Sequence, residues 1–223
     1  MLCIGDETLN MRLYFLRHGE TDWNKERRMQ GTIDIPLNEN GRRIAKLTAK
    51  EMSKIPFDLI ISSPLSRAVE TARIVTGYAD IPLRVDIRLR ELSWGEWEGL
   101  TQADLKKMGY KEGLNMFFTD PFQFPCPPGG DSIQQVCERG KQFFEEVTHD
   151  PALQDKTILV STHGCAVRGV LNHLYDDPQD FWQGKVPANC AVSIVDVDGE
   201  EIRFAEKDKI YYDPKLAEDF YRP

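Results

Sequence analysis

The sequence predicts an α/β domain built around a mostly parallel sheet that helices cover on both faces. Three observations support this prediction. Short apolar runs typical of buried strands recur along the chain, and amphipathic helical patterns separate them. The strand-like runs also end abruptly in charged residues and glycine, as central parallel strands do where they open into loops. Strands that alternate with helices imply such a sheet.

The predicted elements follow in order along the chain. Strands are predicted at 12–16, 57–62, 157–162 and 191–197, with shorter ones near 83–86 and 201–205. Helices are predicted over 39–54, 65–77, 131–147 and 164–174, where apolar side chains recur at helical spacing. Neither an internal repeat nor a low-complexity linker interrupts them.

The 223 residues fit a single domain, 1–223, with three stretches of different character. Residues 1–10 are expected to be a loose N-terminal extension, because Met11 comes immediately before the first strand. Residues 100–130 combine phenylalanines with a proline-rich end, which indicates a lid or pocket wall, with a satellite core as the alternative. Residues 207–223 mix aromatic and charged side chains and are expected to be a surface tail.

The composition argues against several kinds of protein. A net charge of −8 disfavours contact with nucleic acid, which depends on basic surface. No run approaches the roughly 20 apolar residues of a membrane span, and the first ten residues lack the apolar core of a signal peptide. Five cysteines without CxxC spacing fit reduced thiols better than disulfides. We therefore expect a cytoplasmic protein with neither nucleic acid nor membrane as a partner.

The most informative segment is the tetrapeptide Arg17-His18-Gly19-Glu20, which follows the apolar run 13–16. In open α/β sheets, ligands bind at the carboxyl ends of the strands. An arginine and a histidine side by side there offer a doubly charged anion a fixed cation next to a nitrogen nucleophile. Taken alone, the segment also fits an exposed turn with incidental charge.

Three more polar residues occupy comparable positions. Arg67 lies on the first turn of the helix after strand 57–62, and His163 opens the helix after strand 157–162. Helix N-termini favour anions. Glu91 precedes an aromatic, glycine-rich turn at 94–99. Singly, Arg67 fits a surface salt bridge and His163 a core histidine. Together with the tetrapeptide they provide the positioned nucleophile and the charge stabilisation that phosphoryl transfer requires.

Five motifs resemble those of one known family in order and approximate spacing. They are LRHGETDWN, SSPLSRAVETA, the glutamate before WGEWEG, PGGDS and VSTHG. From about residue 11 to 205, the chain resembles the histidine phosphatase (phosphoglycerate mutase-like) superfamily. The resemblance implies a three-layer α/β/α sandwich with a mostly parallel central sheet, and a site above the carboxyl ends of the strands.

The resemblance also implies roles for the residues that match. His18 is expected to be the nucleophile that becomes a phosphohistidine, and Glu91 the proton donor to the leaving alcohol. Arg17, Arg67 and His163 are expected to take part in catalysis around the phosphate. The implied phosphate-binding residues are Arg17, Asn24, Gln30, Gly31, Arg67, His163 and Gly164.

The chemistry agrees with these roles. A nucleophilic imidazole presents one nitrogen while the other holds its proton, which we expect to rest against a backbone carbonyl. A glutamate beside three cationic groups is normally ionised. Glu91 should therefore sit at the rim of the pocket, where Trp94 or Trp97 favours its protonated form. The same carboxylate is then able to take a proton from the attacking water.

Other phosphatase chemistries find little support. No cysteine is followed by the arginine of a Cys-x5-Arg motif, and no P-loop is present. The run Asp196-Val197-Asp198-Gly199 resembles the DxDG box of haloacid dehalogenase-like phosphatases, but it lies too near the C-terminus. We interpret Asp198-Gly199 as a hairpin turn. Four scattered histidines lack ligand spacing, so we expect no metal and no other cofactor.

Three functions are open within the resemblance: a phosphatase, a phosphoglycerate mutase and a non-catalytic protein that binds a phospho-ligand. Mutases usually carry a longer insertion before the second histidine, with an arginine pair for the substrate carboxylate. Here Arg139 is the only arginine between Glu91 and His163. We therefore expect hydrolysis of a small phosphomonoester with an apolar or bulky organic part. Sugar phosphates, nucleoside-type phosphates such as α-ribazole phosphate, and phosphoglycerates are the candidates. A homodimer is one option for assembly.

Overall fold

The computed structural model describes residues 10–216 and contains one six-stranded sheet. Its strands are β1 (Asn10–Arg17), β2 (Leu59–Ser62), β3 (Leu83–Val85), β4 (Thr157–Thr162), β5 (Val192–Asp198) and β6 (Glu201–Lys209). They lie side by side in the order β3-β2-β4-β1-β5-β6. Strands β1 to β4 pair in parallel, whereas β5 runs antiparallel to both β1 and β6. The sheet is therefore mostly parallel, as predicted, with an antiparallel edge.

Helices connect these strands. In the described part of the chain they are α1 (Asp22–Lys25), α2 (Glu39–Met52), α3 (Ser66–Val75), α4 (Gln102–Lys107), α5 (Lys111–Thr119), α6 (Ile133–His149) and α7 (Gly164–Leu171). Helices α2, α3, α6 and α7 are the four that the sequence predicts, and their ends differ from the predicted ends by a few residues at most. None of the helices described is long and apolar enough to cross a bilayer.

The sheet separates two apolar cores because successive β1 side chains point to opposite faces. Leu13 and Phe15 enter one core, which α6 and α7 cover with side chains such as Phe144. Tyr14 and Leu16 enter the other core, which α2 and α3 cover. Both faces of the sheet are thus buried under helices. This arrangement is the three-layer α/β/α sandwich that the resemblance implies.

The stretch 100–130 contains two helices that the sequence analysis does not predict. Thr101 caps the start of α4, because its side chain accepts a hydrogen bond from the backbone N–H of Asp104. Helix α5 buries Leu114 and Phe117 in a third apolar cluster together with Trp94. Both helices are short, and isolated helices of this length are marginal, so their packing on the third cluster stabilises them. That dependence on distant partners is why the local pattern does not reveal them.

The described part of the expected surface tail, residues 207–216, contains the end of a strand and one buried tyrosine. Strand β6 continues to Lys209, and Tyr212 is buried with its hydroxyl donating to the carbonyl of Asn189 at 2.6 Å. Residues 217–223 of this stretch, and 1–9 of the expected N-terminal extension, lie outside the described residues. Asp198 and Glu201 pair across a two-residue hairpin between β5 and β6, so the hairpin interpretation of Asp198-Gly199 is confirmed.

Candidate active site

The predicted site residues come together because β1, β2 and β4 are parallel neighbours. Each strand carries polar residues directly after its carboxyl end, at the same edge of the sheet. The backbone N–H of His18 donates to the carbonyl of Thr162 at 2.9 Å, and that of Ser63 donates to Ser161 at 2.9 Å. These bonds continue the sheet ladder into the loops, so the loops leave the strands in register. His163, which follows β4, lies between the other two loops.

His18 and His163 form a buried pair of imidazoles. Their ring centroids are 5.1 Å apart, with an angle of 59° between the ring planes. The Nδ1 atom of His18 lies 2.6 Å from the carbonyl oxygen of Gly19. A carbonyl oxygen only accepts hydrogen bonds, so Nδ1 of His18 carries the proton and Nε2 is the unprotonated nitrogen. This is the contact expected for a nucleophilic imidazole.

The surroundings keep both imidazoles neutral. Burial lowers the pKa of His18 well below its usual value, and the positive charges of Arg67 and Arg17 lower it further. Burial also lowers the pKa of His163, again with help from Arg67. A neutral His18 retains a lone pair on Nε2 at mildly acidic pH as well as at neutral pH.

Arg67 connects His163 to the loop after α1, which contains Gly31 and Ile33. It lies on the first turn of α3 and is fully buried. Its Nε donates to Nδ1 of His163 at 3.2 Å, while Nη2 donates to the carbonyl of Gly31 at 2.7 Å. Since Nδ1 of His163 accepts this bond, its proton lies on Nε2, which contacts the Ser63 hydroxyl at 2.7 Å. Sequence reasoning did not identify Ser63, although it belongs to the SSPLSRAVETA motif.

Glu91 and Arg17 face each other across Gly164. A Cβ atom at Gly164 would lie 3.6 Å from both Nε of Arg17 and Oε2 of Glu91, so glycine leaves the space between them open. Arg17 is buried, and its Nη1 donates to the carbonyl of Pro187. A guanidinium, a carboxylate and a helix N-terminus therefore meet at one point beside His18.

The position of Glu91 differs from the one expected. It lines a cavity with Trp94, but its carboxylate is buried rather than placed at an exposed rim. Oε2 accepts from the backbone N–H of Cys165 at 3.2 Å, and Oε1 accepts from Ala166 at 3.1 Å and from Leu92 at 2.9 Å. Such bonds are the contacts of a carboxylate. The first turn of α7 thus holds the side chain that the resemblance makes the proton donor.

The remaining predicted residues shape the loop around His18. Asn24 and Thr21 form a reciprocal capping box at the start of α1. The side chain of Gln30 accepts from the Thr21 hydroxyl at 2.5 Å and lines the cavity beside Glu91. Gly31 presents its carbonyl to Arg67, and a Cβ atom there would collide with the carbonyl oxygen of Leu92. Gly31 therefore serves by allowing close backbone packing.

A buried amide that the sequence analysis did not identify holds the loop that begins with His18. The Nδ2 of Asn189 donates to the carbonyl of His18 at 2.9 Å, and the side chain is buried. Asn189 lies in the loop before β5, far from the other motifs in sequence. No local pattern marks it, because its role depends on β5 pairing with β1.

An apolar wall borders the polar site. The cavity next to Glu91 has a volume of about 30 Å³, which holds roughly one or two water molecules. Phe117 contacts Trp94 and Trp182 with ring centroids 4.6 and 5.1 Å away, and Nε1 of Trp182 donates to the carbonyl of Phe117 at 2.8 Å. The other apolar residues of the wall are Met29, Cys165 and Val186.

The arrangement combines a neutral nitrogen nucleophile, two buried guanidinium groups and a carboxylate beside an apolar wall. Two guanidinium groups are suited to the oxygens of a phosphate, which they bind through paired N–H donors. Among residues 10–216, no group of three or more His, Cys, Asp or Glu side chains is placed to hold a metal ion. Chemically, the site suits the transfer of a phosphoryl group to His18.

Comparisons with known proteins agree with this geometry. The family model of the histidine phosphatase superfamily (branch 1) matches residues 13–208. The 2,3-bisphosphoglycerate-dependent phosphoglycerate mutase 2 of Gloeobacter violaceus is 32% identical over 165 residues, which cover 73% of this chain and 74% of that protein. The glucosyl-3-phosphoglycerate phosphatase of Mycolicibacterium vanbaalenii is 31% identical over 176 residues, with 77% of each chain covered.

A solved structure shows the same fold. Bacillus stearothermophilus YhfR superposes with a TM-score of 0.81 at 33% sequence identity, covering 90% of this chain and 98% of its own. The fold, the order of the motifs and the match over residues 13–208 lead to one conclusion. The chain is an enzyme of the histidine phosphatase superfamily (branch 1).

Proposed function

We propose that this enzyme hydrolyses small organic phosphomonoesters through a phosphohistidine formed on His18. The observation that carries the proposal is the state of the His18 ring, which is buried, neutral and protonated on Nδ1 against the Gly19 carbonyl. The guanidinium groups of Arg17 and Arg67 lie close enough to lower its pKa. A phosphoryl group between these cations is placed for attack by Nε2.

The reaction then follows in two transfers. Nε2 of His18 forms a bond to phosphorus while the bond between phosphorus and the leaving oxygen breaks. Glu91 donates a proton to that oxygen, so an alcohol departs rather than an alkoxide. Water next attacks phosphorus, its proton passes to Glu91, and the bond to Nε2 breaks to release inorganic phosphate.

The contacts of Arg139 support hydrolysis over mutase action. A phosphoglycerate mutase must hold a substrate carboxylate while the intermediate reorients. The one arginine between Glu91 and His163 instead donates to the backbone carbonyls of Arg88, Arg90 and Glu91. The mutase is the second candidate, because the Gloeobacter relative that is 32% identical carries that name.

The wall beside Glu91 supports an apolar organic part in the substrate. The leaving oxygen has to lie next to Glu91, and the neighbouring surface is formed by Trp94, Phe117 and Trp182. Stacking against these rings suits an aromatic or bulky alcohol. Residues 100–130, which include Phe117, therefore form one wall of the proposed substrate pocket. Nucleoside-type phosphates such as α-ribazole phosphate fit this wall better than phosphoglycerates do.

The proposal also covers the cellular location of the enzyme, its substrate and its independence of metal ions. We place it in the cytoplasm, a location with which the free thiols of Cys126, Cys137, Cys165 and Cys190 agree. Its partner is a small phosphomonoester, and its chemistry is expected to run without a metal ion because Arg17 and Arg67 already supply positive charge.

The decisive experiment is a phosphate-release screen on the purified enzyme. The panel contains aryl, alkyl, sugar and nucleoside monophosphates, with 3-phosphoglycerate tested for isomerisation alongside, and each reaction is repeated with EDTA. We expect phosphate release that is fastest with aromatic or bulky esters, persists in EDTA and is lost in His18→Ala. Interconversion of 3- and 2-phosphoglycerate with negligible phosphate release would establish the mutase instead. Tight phosphate binding without turnover would indicate a phospho-ligand binding protein.

A further inference from the structure

We infer that Arg139 is a positioning residue that holds Glu91 in place for proton transfer. Arg139 lies in α6 with 12% of its side chain exposed. Its Nη1 donates to the carbonyl of Arg90 at 2.7 Å and to that of Arg88, and Nη2 donates to the carbonyl of Glu91 at 3.2 Å. One guanidinium therefore binds the peptide groups on both sides of the Glu91 Cα atom.

Asp131, two residues before the first residue of α6, reinforces this contact. Its carboxylate lies 3.7 Å from Nη2 of Arg139 and 3.3 Å from Nη2 of Arg90. Asp131 also forms two hydrogen bonds with the backbone of Ser93. The N–H of Ser93 donates to Oδ2 of Asp131 at 3.1 Å, and the N–H of Asp131 donates to the carbonyl of Ser93 at 2.9 Å. Asp131, which comes just before α6, therefore contacts the chain on both sides of Glu91, at Arg90 and at Ser93.

The side chain of Glu91 is attached to a different helix. Its carboxylate accepts backbone N–H groups from Cys165 and Ala166 in the first turn of α7. The main chain of Glu91 depends on α6, whereas its carboxylate depends on α7. The distance between the two helices consequently sets where the Glu91 proton is delivered.

Two glycines fix that distance. A Cβ atom at Gly140, the neighbour of Arg139, would lie 2.6 Å from the backbone nitrogen of Val170. A Cβ atom at Gly169 would lie 2.7 Å from Cγ1 of Val136. Helices α6 and α7 therefore touch through their backbones right beside Arg139. This contact restricts the movement of α6 and α7 relative to each other, and therefore the movement of Glu91, which is bound to both.

Arginine is suited to this task because its planar fork presents several N–H donors in fixed directions. A lysine at the same place has one ammonium group on a flexible stem and cannot reach all three carbonyls in the same geometry. A small displacement of a catalytic group is costly, since about 1 Å of misplacement lowers rates on the order of 100-fold. Arg139 thus acts on the reaction through Glu91 and without touching the substrate.

The inference rests on the proposed function, because it takes Glu91 as the proton donor. The test compares hydrolysis of 4-nitrophenyl phosphate, whose leaving group needs little protonation, with hydrolysis of an alkyl phosphate, whose leaving group needs much. For Arg139→Lys we expect the alkyl rate to fall roughly 10- to 100-fold and the aryl rate to fall much less. Glu91→Gln should show the same selectivity more strongly.

A double variant separates positioning from a general loss of structure. If Arg139 acts through Glu91, the alkyl rate of Glu91→Gln combined with Arg139→Lys should match that of Glu91→Gln alone. Arg168→Lys is the control, because Arg168 is a more deeply buried arginine, with 1% of its side chain exposed, and pairs with Asp208 at 2.5 Å. That control should slow both substrates by the same factor. If Arg139→Lys does not fold, Asp131→Asn replaces it, with the same selectivity expected at smaller size.

The possible failures are distinguishable. Equal loss on both substrates in Arg139→Lys, or losses that multiply in the double variant, would overturn the inference while leaving the role of Glu91 intact. Absence of leaving-group selectivity in Glu91→Gln would overturn both the inference and the proposed proton donor. Thermal unfolding of every variant, measured alongside, shows that the compared proteins are folded.

Discussion

The Nδ1 atom of His18 lies 2.6 Å from the carbonyl oxygen of Gly19, its own neighbour in the chain. This short local contact determines which nitrogen of the ring carries the proton and which carries the lone pair. Because the Gly19 carbonyl holds the Nδ1 proton, the lone pair available for attack is on Nε2. The sequence predicts such a contact in general terms, and the structure identifies the carbonyl.

We expect the phosphoenzyme to carry its phosphoryl group on Nε2 of His18. The measurement is rapid quenching during turnover, followed by ³¹P NMR and peptide mass spectrometry, which distinguish the two phosphohistidine isomers. His18→Ala should give no acid-labile phosphoenzyme. His149→Ala is the control. It removes an exposed imidazole and should form the same phosphoenzyme as the wild type. A phosphoryl group on Nδ1, or on another residue, would contradict the assignment.

Replacing Arg67 by lysine should lower kcat by about 100- to 1000-fold, the usual effect of losing one donor of an oxyanion site. Its guanidinium contacts His163, Gly31 and Ile33 at once, and an ammonium group cannot reproduce that set. Steady-state kinetics and vanadate inhibition provide the readouts. Arg42→Lys changes a half-buried arginine that pairs with Glu70, so it serves as control and should retain nearly full activity. Activity of Arg67→Lys within threefold of the wild type would refute the prediction.

The buried imidazoles predict a loss of stability in acid. The folded-state pKa values of His18 and His163 lie well below the usual value of 6.5. Above pH 6.5 both the folded and the unfolded chain hold these rings neutral. As the pH falls below about 6.5, the unfolded chain binds protons that the folded chain does not, so the free energy of unfolding decreases. The slope is at most about 1.4 kcal/mol per pH unit for each histidine.

Urea unfolding at pH 7.5, 6.5 and 5.5 measures this slope. His163→Gln should give a shallower decrease than the wild type between pH 6.5 and 5.5. An identical slope for the His163→Gln variant and the wild type would show that the buried ring does not drive the effect.

Gly31→Ala should destabilise the protein by about 1–3 kcal/mol, the usual cost of forcing extra atoms into a packed site. The added methyl group would meet the carbonyl of Leu92 and the carboxylate of Glu98. Gly113→Ala is the matched control: it lies inside α5, and the atoms nearest to its Cβ are 3.6 Å away. That change should stabilise the protein by about 0.5–1 kcal/mol. Thermal unfolding compares the two, and equal shifts would contradict the packing argument.

Much of the candidate site follows from local pattern alone. His18 and His163 directly follow β1 and β4, and Arg67 lies on the first turn of the helix after β2. Parallel strands direct their carboxyl ends to the same edge of a sheet. Once β1, β2 and β4 are neighbours, the three side chains have to meet. Their residue types favour phosphoryl transfer, because an imidazole is a nucleophile and a guanidinium stabilises the charge of a phosphate.

The sequence was less informative wherever partners are distant in the chain. Helices α4 and α5 are stable through packing on Trp94 and Trp182, and their own periodicity is too short to show them. Glu91 was expected at an exposed rim, yet its carboxylate is bound by the first turn of α7. Asn189 reaches His18 only because β5 returns antiparallel to β1.

The sequence by itself predicted the fold class, the six strands and helices α2, α3, α6 and α7 in chain order, and a set of candidate residues for phosphoryl transfer. These features are encoded by residues near one another in the chain, through apolar periodicity and through polar groups at strand ends. The tertiary structure decided which helix holds Glu91, which aromatic rings border it and how Arg139 is engaged. Those contacts join segments tens of residues apart, and their geometry depends on how α6 and α7 pack against each other.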